Sequence, residues 1–234
     1  MIDTTYRSTE AETMDDFAME GEILRDALDK IASINTLLGG NKVTLEGVKE
    51  LISGRAENQI TRIVDIGCGN GDMLRTLADF AQQRKLNFEL QGIDANAFTI
   101  GHAKALSAGY SNISYLSADI FDPDTLQPCD IILCTLTLHH FQDEALLALL
   151  NKFSTAKLGI VINDLHRSKL AYYLFSAICF IFRLNRMSRE DGLISILRGF
   201  KHRDLEAYAK KLNLRKFSIR WKWAFRYQWI IRTN

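Results

Sequence analysis

The stretch Ile63-Val64-Asp65-Ile66-Gly67-Cys68-Gly69-Asn70-Gly71-Asp72-Met73-Leu74 constrains the fold more than any other part of the chain. An apolar run enters a glycine-rich turn, and a helical pattern follows at once. Strand, tight turn and helix in that order bring backbone N–H groups against whatever binds at the carboxyl end of the strand. The glycine spacing narrows the ligand. A dinucleotide fingerprint places its third glycine at position 72, where this chain has Asp72, a carboxylate in the path of a pyrophosphate. No Gly-Lys-Ser/Thr follows, so a Walker loop is excluded as well. A nucleoside carrying a cation in place of phosphates fits the loop.

Around the loop the rhythm is that of an α/β protein. Apolar runs at 61–66, 88–93, 112–117, 129–135 and 157–163 read as strands, with helical patterns at 71–84, 96–107 and 143–152 among them. Continuous apolar strands separated by helices predict a parallel sheet covered on both faces. After a helix near 201–212 come strand-like segments 214–221 and 224–233. Only Lys222 and Trp223 join them, and so short a join requires an antiparallel pair. Ahead of the first strand, apolar residues recur at helical spacing from Ile23 to Leu38, and Gly39-Gly40 supplies the stop. A shorter helix over 44–53 follows. The expected organisation is an N-terminal helical cap over 1–58 and an α/β domain over 59–234, with a helical lid inserted at about 165–200.

Asp65-x-Gly67-x-Gly69-x-Gly71 resembles motif I of the class I S-adenosylmethionine-dependent methyltransferases. The resemblance implies a Rossmann-like, seven-stranded, mostly parallel sheet with an antiparallel terminal hairpin. It also implies S-adenosylmethionine as cofactor and S-adenosylhomocysteine as product. The glycines would let the backbone approach the methionine and ribose, and Asp65 would order the turn and help hold the amino group. Cys68, Ala95 and Thr135 join the implied cofactor wall. Asp94 closes the second strand, where a carboxylate can accept hydrogen bonds from both ribose hydroxyls. Its ordinary alternative is a cap on the helix starting at Asn96. Asp119 follows the third strand and would take the adenine amino group, with Ile120 beside the ring; its alternative is a plain turn aspartate.

The methyl acceptor is read from the later strand ends. The fourth strand runs into Leu138-His139-His140-Phe141, without the Asn/Asp-Pro-Pro-Tyr/Phe box of many base- or glutamine-modifying enzymes. A phenol loses its proton near pH 10 and imidazole titrates near 6.5, so a positioned histidine can assist transfer to a hydroxyl. The candidates are His140, His166 and His139, in that order, with Asp164 as a base or orienting group. Each could equally cap or pack at a strand end. Residues 170–182 are apolar all round but too few to cross a bilayer, which needs about 20. They read as a lid over an apolar acceptor, flanked by Arg183, Arg186 and Arg189. Met14-Asp15-Asp16, the 163–175 stretch and Asp191–Phe200 together resemble small bacterial quinone-methylase-like enzymes, often encoded beside type III polyketide synthases. That implies a phenolic, quinol or polyketide-derived acceptor, methylated at oxygen or at a ring carbon.

Composition closes off several classes. The polar, acidic N-terminus lacks signal-peptide features, and the four cysteines form no CxxC pair or zinc spacing, so reduced thiols in a cytoplasmic protein and no metal are expected. Peripheral membrane contact and the oligomeric state stay open. Charge is badly segregated: residues 1–164 carry 13 Lys/Arg against 24 Asp/Glu, and residues 165–234 carry 16 against 4. Either the halves pair with each other or the basic half faces an anion. A nucleic-acid methyltransferase would use that half, with Trp221, Trp223, Phe225, Tyr227 and Trp229 as a stacking platform. The same alternation is what a strand with one packed face shows.

Overall fold

The computed structural model describes residues 2–56 and 58–233. Seven strands form one sheet: β1 Thr61–Ile66, β2 Phe88–Asp94, β3 Ile113–Ser117, β4 Ile131–Thr135, β5 Gly159–Leu165, β6 Phe217–Lys222 and β7 Arg226–Arg232. Their order is β3-β2-β1-β4-β5-β7-β6. The first five pair in parallel, and β7 runs antiparallel to both β5 and β6. This is the seven-stranded Rossmann-like arrangement with a terminal hairpin.

The apolar runs are strands because both faces are covered. Ile63, Leu133, Val161 and Ile230 point to one face, against Val48 and Leu51 of α2 (Gly40–Ile52) and Leu74 and Leu77 of α3 (Asp72–Arg84). Val64, Ile132, Ile160 and Trp229 point to the other, against Leu149 and Phe153 of α5 (Asp143–Phe153) and Leu205 of α8 (His202–Lys211). α4 (Ala97–Leu106) follows β2. Full burial of a side chain of this size contributes about 1.5–3 kcal/mol, so these two layers dominate the stability.

Three details differ from the sequence reading. α2 starts at Gly40, not near 44, because Gly39 (φ 73°) both ends the preceding helix α1 (Glu22–Leu37) and caps the next. The hairpin joins through Trp223–Phe225 rather than two residues, with Ala224 and Phe225 at positive φ. The segment after β5 makes two helices, α6 (Lys169–Ile181) and α7 (Arg186–Arg198). Along α6 only Ala171 and Cys179 are buried, so it is not a core helix. No helix among the described residues is long and apolar enough to cross a membrane.

The N-terminal segment is strapped across the strand ends by arginines. Buried Arg167 donates to Thr4 O (3.1 Å), Thr5 O (3.3 Å) and Asp204 (2.9 Å). Arg7 donates to the carbonyls of His139 (3.0 Å), Phe141 (2.8 Å) and Arg198 (2.9 Å).

Candidate active site

A cavity of about 750 Å³ opens at the carboxyl ends of β1, β2, β4 and β5, roofed by α1, α6 and α7. Its floor begins with the glycine loop, where Gly67, Gly69 and Gly71 have φ of 66°, 53° and 77°. Gly67, Cys68 and Gly69 line the cavity, while Gly71 packs the loop: a Cβ there would collide with the Tyr115 hydroxyl. Asp65 is 2% exposed and its Oδ1 has no partner. Burial, followed by the nearby Asp72 and Asp94, pushes its carboxyl well above the usual range. An unpaired buried carboxylate is costly, and a cation arriving in the cavity would relieve it.

Asp94 faces the same space. Its Oδ2 accepts from Gly69 N–H (3.2 Å) and its Oδ1 from Asn96 N–H (3.0 Å). The helix cap is Asn96, whose side chain accepts from Thr99 N–H at 2.9 Å, so Asp94 is not spent on capping. Asp119 is exposed, with Oδ1 accepting from Phe121 N–H (2.9 Å) as in a plain aspartate turn, yet it and buried Ile120 both line the cavity. Ala95 and Thr135 line it as well, and Thr135 Oγ1 lies 2.9 Å from Thr44 Oγ1.

The three histidines all reach the cavity but differ in what holds them. His139 is 2% exposed, its Nδ1 stands 2.7 Å from Asp164 Oδ1, and its backbone N–H donates to Asp164 Oδ2 (3.1 Å). A carboxylate can only accept, so Nδ1 carries a proton and, in the neutral ring, Nε2 has the lone pair. That Nε2 has no hydrogen-bond partner. Burial works to raise the Asp164 carboxyl, but His139 and two backbone N–H groups outweigh it and hold it below its ordinary value.

His140 is more open. Its Nδ1 lies 2.6 Å from Asp15 Oδ1, and Asp15 is shared with Arg198 Nη1 at 2.6 Å. His166 accepts from Trp221 Nε1 at 3.3 Å through Nδ1, which puts the proton of a neutral ring on Nε2. Burial, then Lys201 and Arg167, depress its basicity further.

Sequence reasoning missed Glu12, which is buried beside these rings. Its Oε1 lies 3.7 Å from His139 Nε2 and 3.9 Å from His140 Nδ1, and Oε2 accepts from Ser195 Oγ (2.8 Å). Asp191 fixes this turn by accepting from Thr13 N–H (2.8 Å) and Met14 N–H (3.0 Å). Glu12, His139 and His140 offer donor atoms within 4.8 Å of one another, a grouping that no spacing rule shows, and Arg198 Nη1 reaches to 3.5 Å from Glu12. Leu136 was missed too: at φ 55°, it bends the chain at the end of β4 where it meets the cavity.

Residues 57–196 match the methyltransferase-domain family. The chain belongs to that family. Its sheet order and glycine loop make it a class I methyltransferase, for which the methyl donor is S-adenosylmethionine. The residues fit that donor, since orphaned Asp65 suits its ammonium and Asp94 its ribose hydroxyls. Solved structures of similar fold include the plantazolicin methyltransferase BpumL in complex with a pentazolic desmethylPZN analog and SAH (16% identity, 90% of this chain, 91% of that one, TM-score 0.68). A SAM dependent methyltransferase from Aquifex aeolicus is 14% identical, covering 92% of this methyltransferase and 100% of that chain at TM-score 0.61. The CurJ carbon methyltransferase is 14% identical over 82% of this chain and 54% of that one, with TM-score 0.60.

Proposed function

We propose that this methyltransferase acts on a small hydrophobic acceptor, methylating a phenolic hydroxyl with His139 as general base and Asp164 as its positioning partner. The observation that carries the reading is His139 Nε2, buried and without a hydrogen-bond partner on a residue that lines the cavity, with Asp164 holding the other ring nitrogen. The expected order His140, His166, His139 is thereby revised. His140 shares its carboxylate with Arg198, and the acceptor nitrogen of His166 is spent on Trp221.

Bound S-adenosylmethionine supplies a methyl on a sulfonium, already a good electrophile. The chain's own task is alignment and proton removal. Asp65, Asp94 and the glycine loop hold one reactant, while Leu28, Ile31, Phe175, Ile178 and Ile196 shape an apolar volume for the other and keep water out. Orientation of two bound reactants can supply about 7–11 kcal/mol, and base assistance about 10²–10⁴-fold in rate. His139 Nε2 takes the hydroxyl proton as the oxygen attacks, and Asp164 stabilises the imidazolium that results.

The test is His139→Asn and Asp164→Asn assayed on an alkylphenol. Each should lower kcat by about 10²-fold or more, most strongly at low pH, with S-adenosylhomocysteine affinity unchanged. Near-wild-type rates for alanine variants of all three histidines would exclude histidine base catalysis. Transfer to an activated ring carbon is the second reading, favoured by the carbon methyltransferase among the similar structures. The same Nε2 would then take the proton from carbon.

A nucleic-acid acceptor finds less support. Trp229 is 0% exposed and Tyr227 is 7% exposed, both inside the core, so the expected stacking platform is not assembled.

A further inference from the structure

The cavity wall holds one more charged group. Arg226 opens β7 opposite Leu165 and is only 4% exposed. Its Nε and Nη1 have no hydrogen-bond partner. Burial lowers its pKa to about 10, partly offset by Asp164 and Asp72 acting through space, so it remains charged at neutral pH. A buried, unpaired guanidinium is costly unless an anion meets it.

The surrounding chain makes room for this side chain. A Cβ at Gly40 would stand 3.1 Å from Arg226 Cζ and would collide with Asn35. Gly40 is also the first residue of α2, whose N-terminus has no side-chain cap and so adds partial positive charge beside the guanidinium. The opposite charge is in the same cavity, whose lining includes Asp65 with its unpartnered Oδ1. The cavity therefore holds both an orphaned carboxylate and an orphaned guanidinium. An α-amino acid head, with its ammonium and carboxylate on one carbon, satisfies both.

We propose that Arg226 binds the carboxylate of the cofactor's methionyl head, with the ammonium at Asp65, and so selects the intact cofactor over its decarboxylated form. The inference rests on the family assignment and not on the identity of the acceptor. A carboxylate on the acceptor is the other source of the same chemistry.

The test is calorimetry of wild type, Arg226→Met and Arg226→Lys with S-adenosylhomocysteine and with its decarboxylated analogue, S-adenosyl-3-thiopropylamine. Arg226→Met should weaken S-adenosylhomocysteine by about 10-fold or more, the scale of a lost charged hydrogen bond, and bind the analogue as wild type does. Arg226→Lys should keep part of the preference. Removing an unpaired buried charge should leave the ligand-free Tm unchanged or higher, whereas loss of a structural arginine would lower it. Equal weakening of both ligands, or an Arg226→Met chain that fails to fold, would overturn the proposal. So would unchanged S-adenosylhomocysteine binding with a raised acceptor KM, which would assign the guanidinium to the acceptor. None of these outcomes touches the role of His139, which the alkylphenol assay decides separately.

Discussion

Replacing Glu12 with Gln should make the protein progressively more stable than wild type as pH rises. The Glu12 side chain is 3% exposed, and its Oε1 is unpaired. Burial drives the carboxyl from 4.5 up to about 7, against the opposing pull of His140, Ser195 and Arg198. Between those values the folded chain keeps a proton that the unfolded chain releases. The stability is therefore fully present below the unfolded pKa and is lost as pH rises through the folded one. At about 1.36 kcal/mol per unit, the shift amounts to something on the order of 3 kcal/mol. Glutamine keeps the shape and the Ser195 contact but cannot ionise. Urea unfolding of both proteins, from about pH 5 to about pH 8, isolates the effect, because groups common to both cancel in the difference. The gap should widen in favour of the variant up to about pH 7, where Glu12 ionises in the folded chain too, and then level off. A difference that stays flat or narrows over that range would refute the burial argument.

Two further predictions concern the cavity. Asp94→Ala removes a cavity-lining carboxylate and, if Asp94 holds the ribose as proposed, should weaken S-adenosylhomocysteine by about 1.5–3 kcal/mol; unchanged calorimetric affinity in a folded variant would sink that role. Phe175 of α6 lines the cavity beneath the roof, so Phe175→Ala should raise the acceptor KM while leaving cofactor affinity intact, and a kcat-only effect would contradict the lid.

Much of the fold was legible because its signals are local. The runs 61–66 and 88–93 are strands to within a residue, since a fully buried parallel strand must be apolar along its length. The hairpin followed from a short join. Gly39-Gly40 was read as a stop when it also starts α2, because a left-handed glycine serves either purpose. The glycine loop, Asp94 and Asp119 were visible because each follows a strand by a fixed offset. Glu12, Arg198 and Arg226 were not, because tertiary folding alone brings them to the cavity: Asp191 of α7 holds the Glu12 turn, and Arg226 sits behind a glycine on α2. The ranking of the two adjacent histidines has no firm local basis in sequence, since the difference between them lies in the remote carboxylate behind each ring.

Part of the charge split is met by ion pairs between the two halves. Arg220 and Arg232 of the basic half reach Glu50, Lys222 reaches Glu46 at 2.9 Å, and Arg198 reaches Asp15 at 2.6 Å. The first three pairs are partly exposed and contribute little to stability, on the order of 0–1 kcal/mol each. Arg198 differs, because its side chain is 4% exposed and it also donates to the His139 and His140 carbonyls. It ties the acidic N-terminal turn to the loop that carries His139 and His140, so part of the asymmetry is met within the chain. A basic face meant for a polyanion would leave these cations free and exposed. Here Arg220, Lys222 and Arg232 turn toward the acids of α2, which favours a small acceptor inside the cavity over a large one across the surface.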